Sequence, residues 1–153
     1  MRPGTLKCTK AIGWFIKEYG IAQVSMNITN VNVTPLHVAF EEVCRCAEAR
    51  GLRVTGTEIV GLVPEHSLID AGKHFLKKQH RSCGIPKGDI LNIAVKSLGL
   101  DDLKPFVPEE KVIEYLLAAG ENHEGRLTAM TVEEFADETL RESPAPGGGS
   151  VSA

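Results

Sequence analysis

Residues 10–19, KAIGWFIKEY, and residues 21–30, IAQVSMNITN, flank a single glycine, Gly20. Both runs are rich in β-branched and aromatic side chains, and a tight reversal needs a residue that tolerates unusual φ. The pair predicts a β-hairpin. At period two, Ile21, Gln23, Ser25, Asn27 and Thr29 share one face of the second strand, while Ala22, Val24, Met26 and Ile28 share the other. The apolar face is expected to meet a core. The polar row holds only uncharged hydrogen-bonding groups besides Ile21. Two readings stay open for it: a solvated sheet surface, or a face that lines a ligand through Gln23, Ser25, Asn27 and Thr29.

Downstream, Thr34-Pro35 reads as an N-cap followed by a proline at the first helical position, where no N–H is missed. Leu36, Phe40, Val43 and Ala47 recur at helical spacing up to Gly51, predicting an amphipathic helix over about 35–50. His37 falls in its first turn, where the helix N-terminus disfavours a protonated imidazole, and reads as a surface residue. Residues 53–63, RVTGTEIVGLV, predict a strand that ends at Pro64, with Gly56 and Gly61 as places for a bulge or a close backbone approach. On a regular strand Glu58 shares its face with Val54, Val60 and Leu62. A buried unpaired carboxylate is too costly to keep, so Glu58 stands either at an exposed edge or in a functional setting.

From residue 65 the pattern is helical. One stripe holds Leu68, Ile69, Gly72, Phe75 and Leu76; a second holds Leu91, Ala94, Val95 and Leu98 and stops at Gly99. VPEEKVIEYLLAAG predicts a third helix that starts at Pro108, carries two glutamates in its first turn and stops at Gly120. His66, His74 and His80 lack the spacing of a helical ligand pair and read as solvated. Residues 121–126, ENHEGR, are a linker, and Thr131 with Glu134 forms a capping box before a short helix over about 132–142. The chain closes on ESPAPGGGSVSA, which has the chemistry of a helix start.

The 153 residues carry a net charge of −3, with 42% apolar and 24% charged side chains, as ordinary soluble domains do. That balance supplies no electrostatic argument for nucleic acid or an anionic membrane, and no apolar run approaches a membrane span. Cys8, Cys44, Cys46 and Cys83 include no CxxC pair, so reduced, inert thiols of a cytosolic protein are expected rather than a metal site.

Several stretches resemble one family when taken in order: GWFIKEYGIAQVSMNITN, TPLHVAFEEVCRCA, GTEIVGLVP, SLGLDDLKPFVPEEKVIEYL and SPAPGGGSVSA. They are similar to the formiminotransferase-cyclodeaminase family over nearly the whole chain. The resemblance implies an α+β fold: an incomplete ferredoxin-like subdomain (β-β-α-β) over 1–64, a helical extension over 65–120, a linker with a short helix over 121–142, and the start of a cyclodeaminase domain over 143–153. The leading strand and helix of that subdomain, and a first subdomain bearing the catalytic histidine, are expected upstream of Met1. The chain then reads as a piece of a longer polypeptide, with no catalytic residue and no metal of its own.

The function so implied is transfer of a formimino group from N-formimino-L-glutamate to N5 of tetrahydrofolate in histidine breakdown, followed by cyclodeamination to 5,10-methenyltetrahydrofolate. Tetrahydrofolate is the co-substrate, the partners are the missing subdomain and the cyclodeaminase domain, and the intact cytoplasmic protein is a homo-oligomer. Gln23, Ser25, Asn27, Thr29 and Glu58 are the candidate folate and substrate residues, and Gly147, Gly148, Gly149 and Ser150 form a candidate cyclodeaminase loop. Two rivals stand beside this: a small-molecule-binding or dimerisation module without catalysis, and a transferase-like protein kept for assembly.

Overall fold

The computed structural model describes residues 4–18 and 20–120, and the linker, short helix and terminal loop expected beyond them lie outside those residues. The chain divides into two compact units, Met1–Tyr115 and Leu116–Ala153. The elements are β1 (Thr9–Ile16), β2 (Ile21–Ile28), α1 (Leu36–Glu48), α2 (Glu65–Lys78), α3 (Lys87–Leu98), α4 (Pro108–Lys111) and α5 (Ile113–Gly120). The class is α+β, as expected.

The core is helical. Leu68, Ala71, Phe75 and Leu76 of α2 are buried together with Leu91, Ala94, Val95 and Leu98 of α3. These are the apolar positions that recur every three or four residues, so each helix presents one continuous stripe to the other. Leu100, Val63 and Val112 complete the cluster, and Leu36 and Phe40 of α1 pack on its margin. The helices stop where the sequence indicates: Gly51 and Gly99 adopt φ of 71° and 66°, the left-handed region that glycine enters without a Cβ penalty. The start of α2 is completed from afar. The Glu114 carboxylate accepts the Glu65 N–H at 2.7 Å and so satisfies an amide that the helix itself leaves open.

Three expectations are corrected. Residues 53–63 do not form a strand; Val63 alone makes an isolated parallel bridge, to Val112. A strand is defined by its partner, and among the described residues this segment finds one only at its last position. The same bridge breaks the helix expected from Pro108 onward. Val63 N–H donates to Lys111 O at 2.9 Å and Ile113 N–H donates to Val63 O at 3.1 Å, so Val112 takes extended dihedrals (φ −92°, ψ 123°) between α4 and α5. Third, Thr34 does not cap α1. Pro35 occupies the cap position without a side-chain bond, and the buried Thr34 hydroxyl donates to Lys7 O at 2.5 Å instead. Of the two glycines in 53–63, Gly56 does mark a close approach, since a Cβ there would stand 3.0 Å from Asp102 Cβ.

The expected hairpin forms, pairing Ile16 with Ile21 and Thr9 with Ile28, with Gly20 at φ 65° in the reversal. Among the described residues its apolar face does not reach the core, whose cluster contains no residue of β1 or β2. Phe15 is 61% exposed and Val24 49%. A two-stranded sheet has only cross-strand pairs to hold it, and is marginal by itself. Its anchorage lies at the base: Thr29 N–H and hydroxyl both donate to Cys8 O, at 2.9 and 3.1 Å, and Thr5 donates to Glu42 of α1 at 2.9 Å.

Two outcomes follow from this packing. A Cβ on Gly72 would lie 2.2 Å from Ile90 O and 2.7 Å from its Cγ2, so Gly72→Ala should destabilise the protein by about 2–3 kcal/mol despite alanine's better helix propensity. Urea denaturation checks it, and an unchanged midpoint would mean that α2 and α3 slide apart at little cost. The open hairpin should also make the chain self-associate at micromolar concentration. Light scattering should show the average mass falling in Phe15→Lys and Val24→Lys; a monodisperse monomer in the unmodified chain contradicts this.

Candidate functional site

Side chains that are direct partners in an antiparallel pair stand on the same face of the sheet. Trp14 is opposite Gln23, Ile12 opposite Ser25, and Lys10 opposite Asn27. The uncharged row read from β2 therefore shares its face with an indole, an aliphatic side chain and one ammonium. Gln23 and Ser25 are half-buried and Asn27 is exposed. None of the three makes a side-chain hydrogen bond among the described residues, so their donors and acceptors are open to a ligand. Thr29 differs. It lies just past β2 and its hydroxyl is engaged by Cys8 O, which makes it a closure of the hairpin base.

Glu58 is exposed on the irregular 53–63 segment, and the chain's own bonds there run through the backbone, Thr57 N–H donating to Gly99 O at 3.0 Å. The Gly147–Gly149 loop and Ser150 lie outside the described residues. A surface groove of about 360 Å³ is lined by Asn92, Asp101, Phe106, Glu109 and Tyr115 among others. Its Asp101 is already held by Lys96 Nζ at 2.5 Å and by the Phe106 N–H at 3.0 Å. The groove shares no residue with the hairpin.

The structure also gathers ionisable groups that sequence reading left dispersed. His37 of α1 stacks on His74 of α2, with ring centroids 4.3 Å apart and planes 20° from parallel. Glu41 joins them from one turn further along α1. Its Oε2 lies 3.1 Å from His74 Nε2, and its Oε1 accepts from Lys78 Nζ at 2.5 Å. Phe40 and Phe75 meet edge to face beside this pair. The signal in the sequence was the i,i+4 spacing on each helix, His37–Glu41 and Asp70–His74–Lys78. Only the crossing of the two helices converts it into a cluster. Burial, and next the charge of His74, push His37 below its ordinary value, while Glu41 and Asp70 act against this. The Lys78 hydrogen bond is the leading reason that the Glu41 carboxyl lies below its usual range.

These directions set two pH windows. The folded state favours neutral His37, so the unfolded chain binds more protons and this contribution, complete above about pH 6.5, fades as pH falls below that. Folding likewise favours ionised Glu41, whose contribution is complete above about pH 4.5 and is lost below it. Thermal unfolding across pH 4–7 should therefore show stability falling on acidification in both windows. His37 by itself adds less than the one-proton limit of about 1.4 kcal/mol per pH unit to the upper slope. Glu41 shares the lower slope with Glu42, Glu65 and Asp101, whose carboxyls are also held below their usual range. His37→Gln should flatten the upper window, and Glu41→Gln should lessen the lower slope without abolishing it. Equal slopes in His37→Gln and the parent chain would show that the stacked pair does not titrate with folding.

With this geometry in place, comparison with known proteins is informative. Residues 1–118 match the family model described as the formiminotransferase domain. The chain is 43% identical over 152 residues to the formimidoyltransferase-cyclodeaminase of Gallus gallus and 41% identical over 152 residues to that of Sus scrofa, in each case across 99% of this chain. It is 39% identical over 90 residues, or 59% of its length, to the glutamate formimidoyltransferase of Thermoplasma acidophilum. The chain spans 28% of the length of each of these relatives. With most of its length matched by the domain model, the chain belongs to the formiminotransferase domain family.

Proposed function

We propose that this chain supplies a folate-facing part of an enzyme that moves the formimino group of N-formimino-L-glutamate to N5 of tetrahydrofolate. The observation that carries the reading is the match of residues 1–118 to the formiminotransferase domain, joined to 43% identity with a formimidoyltransferase-cyclodeaminase across 99% of the chain. In the transfer, N5 attacks the amidine carbon of the donor, and the bond from that carbon to the glutamate nitrogen breaks. N5 loses a proton and the departing nitrogen gains one. The catalyst must hold both reactants in line and move those protons.

The residues of this chain suit the holding. Gln23, Ser25 and Asn27 offer neutral donors and acceptors on one sheet face, and Glu58 is an exposed carboxylate for a nitrogen of either substrate. The proton transfers are assigned to groups outside this chain. In the same reading, residues 1–64 and 65–120 are the core and helical extension of one subdomain, 121–142 link it onward, and 143–153 open a cyclodeaminase domain. Gly147, Gly148, Gly149 and Ser150 would present N–H groups to the folate product ahead of a helix. The parent protein is read as a cytoplasmic homo-oligomer. Among the described residues, no helix is long and apolar enough to cross a membrane. A non-catalytic dimerisation module is the second reading, and the exposure of both hairpin faces favours it.

A chimera separates the two. This chain should replace the matching 152 residues of the Gallus gallus relative with formimino transfer retained, within about tenfold of the parent rate, while the chain alone should form no 5-formimino product. A folded chimera that binds its partners but transfers nothing would favour the assembly reading. Transfer by the chain alone would place the proton shuttle among its own five histidines.

A further inference from the structure

The hairpin carries one tryptophan, the only one in the chain, and its register places that residue directly opposite Gln23. Trp14 is 46% exposed and belongs to no part of the helical core. Large aromatic surface is rarely left open without a partner, and an indole face takes flat rings by offset stacking. Beside it stand a carboxamide and a hydroxyl, each able both to donate and to accept. At about 3.4 Å per residue, Lys10 lies about 14 Å along the same strand face from Trp14. It is the one charged residue on that face of β1 and β2, and it makes no ion pair among the described residues.

We infer that this face binds the pterin end of a folate, with Trp14 stacked on the flat pyrimidinone half of the ring, Gln23 and Ser25 bonded to its edge, and Lys10 set against the carboxylates of the tail. The inference rests on the folate reading above and adds to it a stacking residue, an orientation and an anchor. A pterin edge alternates amino, ring N–H and carbonyl groups, which asks for neutral partners of both kinds; a carboxylate would meet only its donors. The aminobenzoyl spacer of a folate separates ring from carboxylates by roughly the distance that separates Trp14 from Lys10. The charge complementarity is directional. The neutral end of the ligand meets the neutral end of the row, and the anionic end meets the cation.

Because Trp14 is the only tryptophan, its emission reports on this face alone. The chain and the chimera should be titrated with tetrahydrofolate, with 6-methyltetrahydropterin, which lacks the tail, and with N-formimino-L-glutamate, following heat by calorimetry in both and Trp14 emission in the chain. Both pterins should quench Trp14 saturably at the affinity that calorimetry gives, and N-formimino-L-glutamate should not. Trp14→Ala should weaken both pterins about three- to tenfold, with Trp14→Phe close to the parent. Lys10→Ala should weaken tetrahydrofolate about two- to fivefold and leave the tail-less pterin unchanged. Circular dichroism checks that each variant folds. Calorimetric binding with Trp14 emission unmoved, or with equal affinity in Trp14→Ala, overturns the inference while the folate reading stands. Equal loss of both pterins in Lys10→Ala overturns the orientation. Binding of neither pterin, in the chain or in the chimera, overturns both.

Discussion

At Gly72 the backbone of α2 lies so close to α3 that a single methyl group would stand 2.2 Å from the Ile90 carbonyl. That approach sets the spacing of the two helices, and the spacing decides which side chains can be buried between them. Leu68, Ala71 and Ala94 are then fully enclosed, two of them small because the backbones leave no room for more. Everything else attaches to this pair. Leu100 follows α3 into the cluster, and Val63 and Val112 close it from the far side through two backbone hydrogen bonds. With Val63 buried at 3% and Val112 at 0%, those bonds run in a water-poor setting where breaking them would orphan buried polar groups.

The seam between α1 and this core is of another kind. Phe40 and Phe75 give it an apolar contact, but the stacked imidazoles, Glu41 and Lys78 make the rest of it polar. A seam of this composition answers to proton concentration, whereas the α2–α3 contact is apolar apart from the Lys87–Glu65 ion pair at its edge. The chain thus joins a body with an apolar interior to a helix held partly by titratable groups, and that helix is the one tied to the hairpin through Thr34, Lys7, Thr5 and Glu42.

The helices were legible in the sequence because burial on one side leaves an i,i+3,i+4 pattern and because glycine marks a left-handed stop; α1, α2 and α3 each begin within a few residues of the expected place. What could not be read depended on a distant partner. Residues 53–63 have the β-branched composition of a strand, but pairing is a property of two segments, and among the described residues only Val63 finds a neighbour. Val112 leaves the helix for the same remote reason. Thr34 had two acceptable uses for its hydroxyl, and the choice of Lys7 O over a helix N–H lies in the path of the chain before β1. The polar row of β2 was legible at period two, whereas the neighbours that give it chemical character, Trp14 and Lys10, required the register. The histidine cluster required the crossing of two helices, each of which showed only half of it.

The hairpin's exposure follows from this division of labour. It is aligned at its base by hydrogen bonds to Cys8 O and Lys7 O, which fix where it starts without covering what it presents. A sheet so anchored leaves large side chains exposed on both faces, Ile12 and Trp14 on one and Phe15 and Val24 on the other, and the two faces differ chemically. Ala22, Val24, Met26 and Ile28 with Phe15 make one of them apolar, suited to packing against protein. The other sets amide, hydroxyl and indole among Ile12, Ile16 and Ile21, with a single ammonium near its end. Charged groups along that row would bind water and ions strongly and would have to be desolvated whenever a neutral ring arrived, a cost that amides and hydroxyls incur far less. A face that must hold a neutral heterocycle still, while proton transfers occur nearby, is better made of groups that do not themselves titrate near neutral pH. On the reading proposed above, Gln23, Ser25 and Asn27 meet that requirement, and Lys10, about 14 Å from the indole along the strand, keeps its charge at the other end of the row.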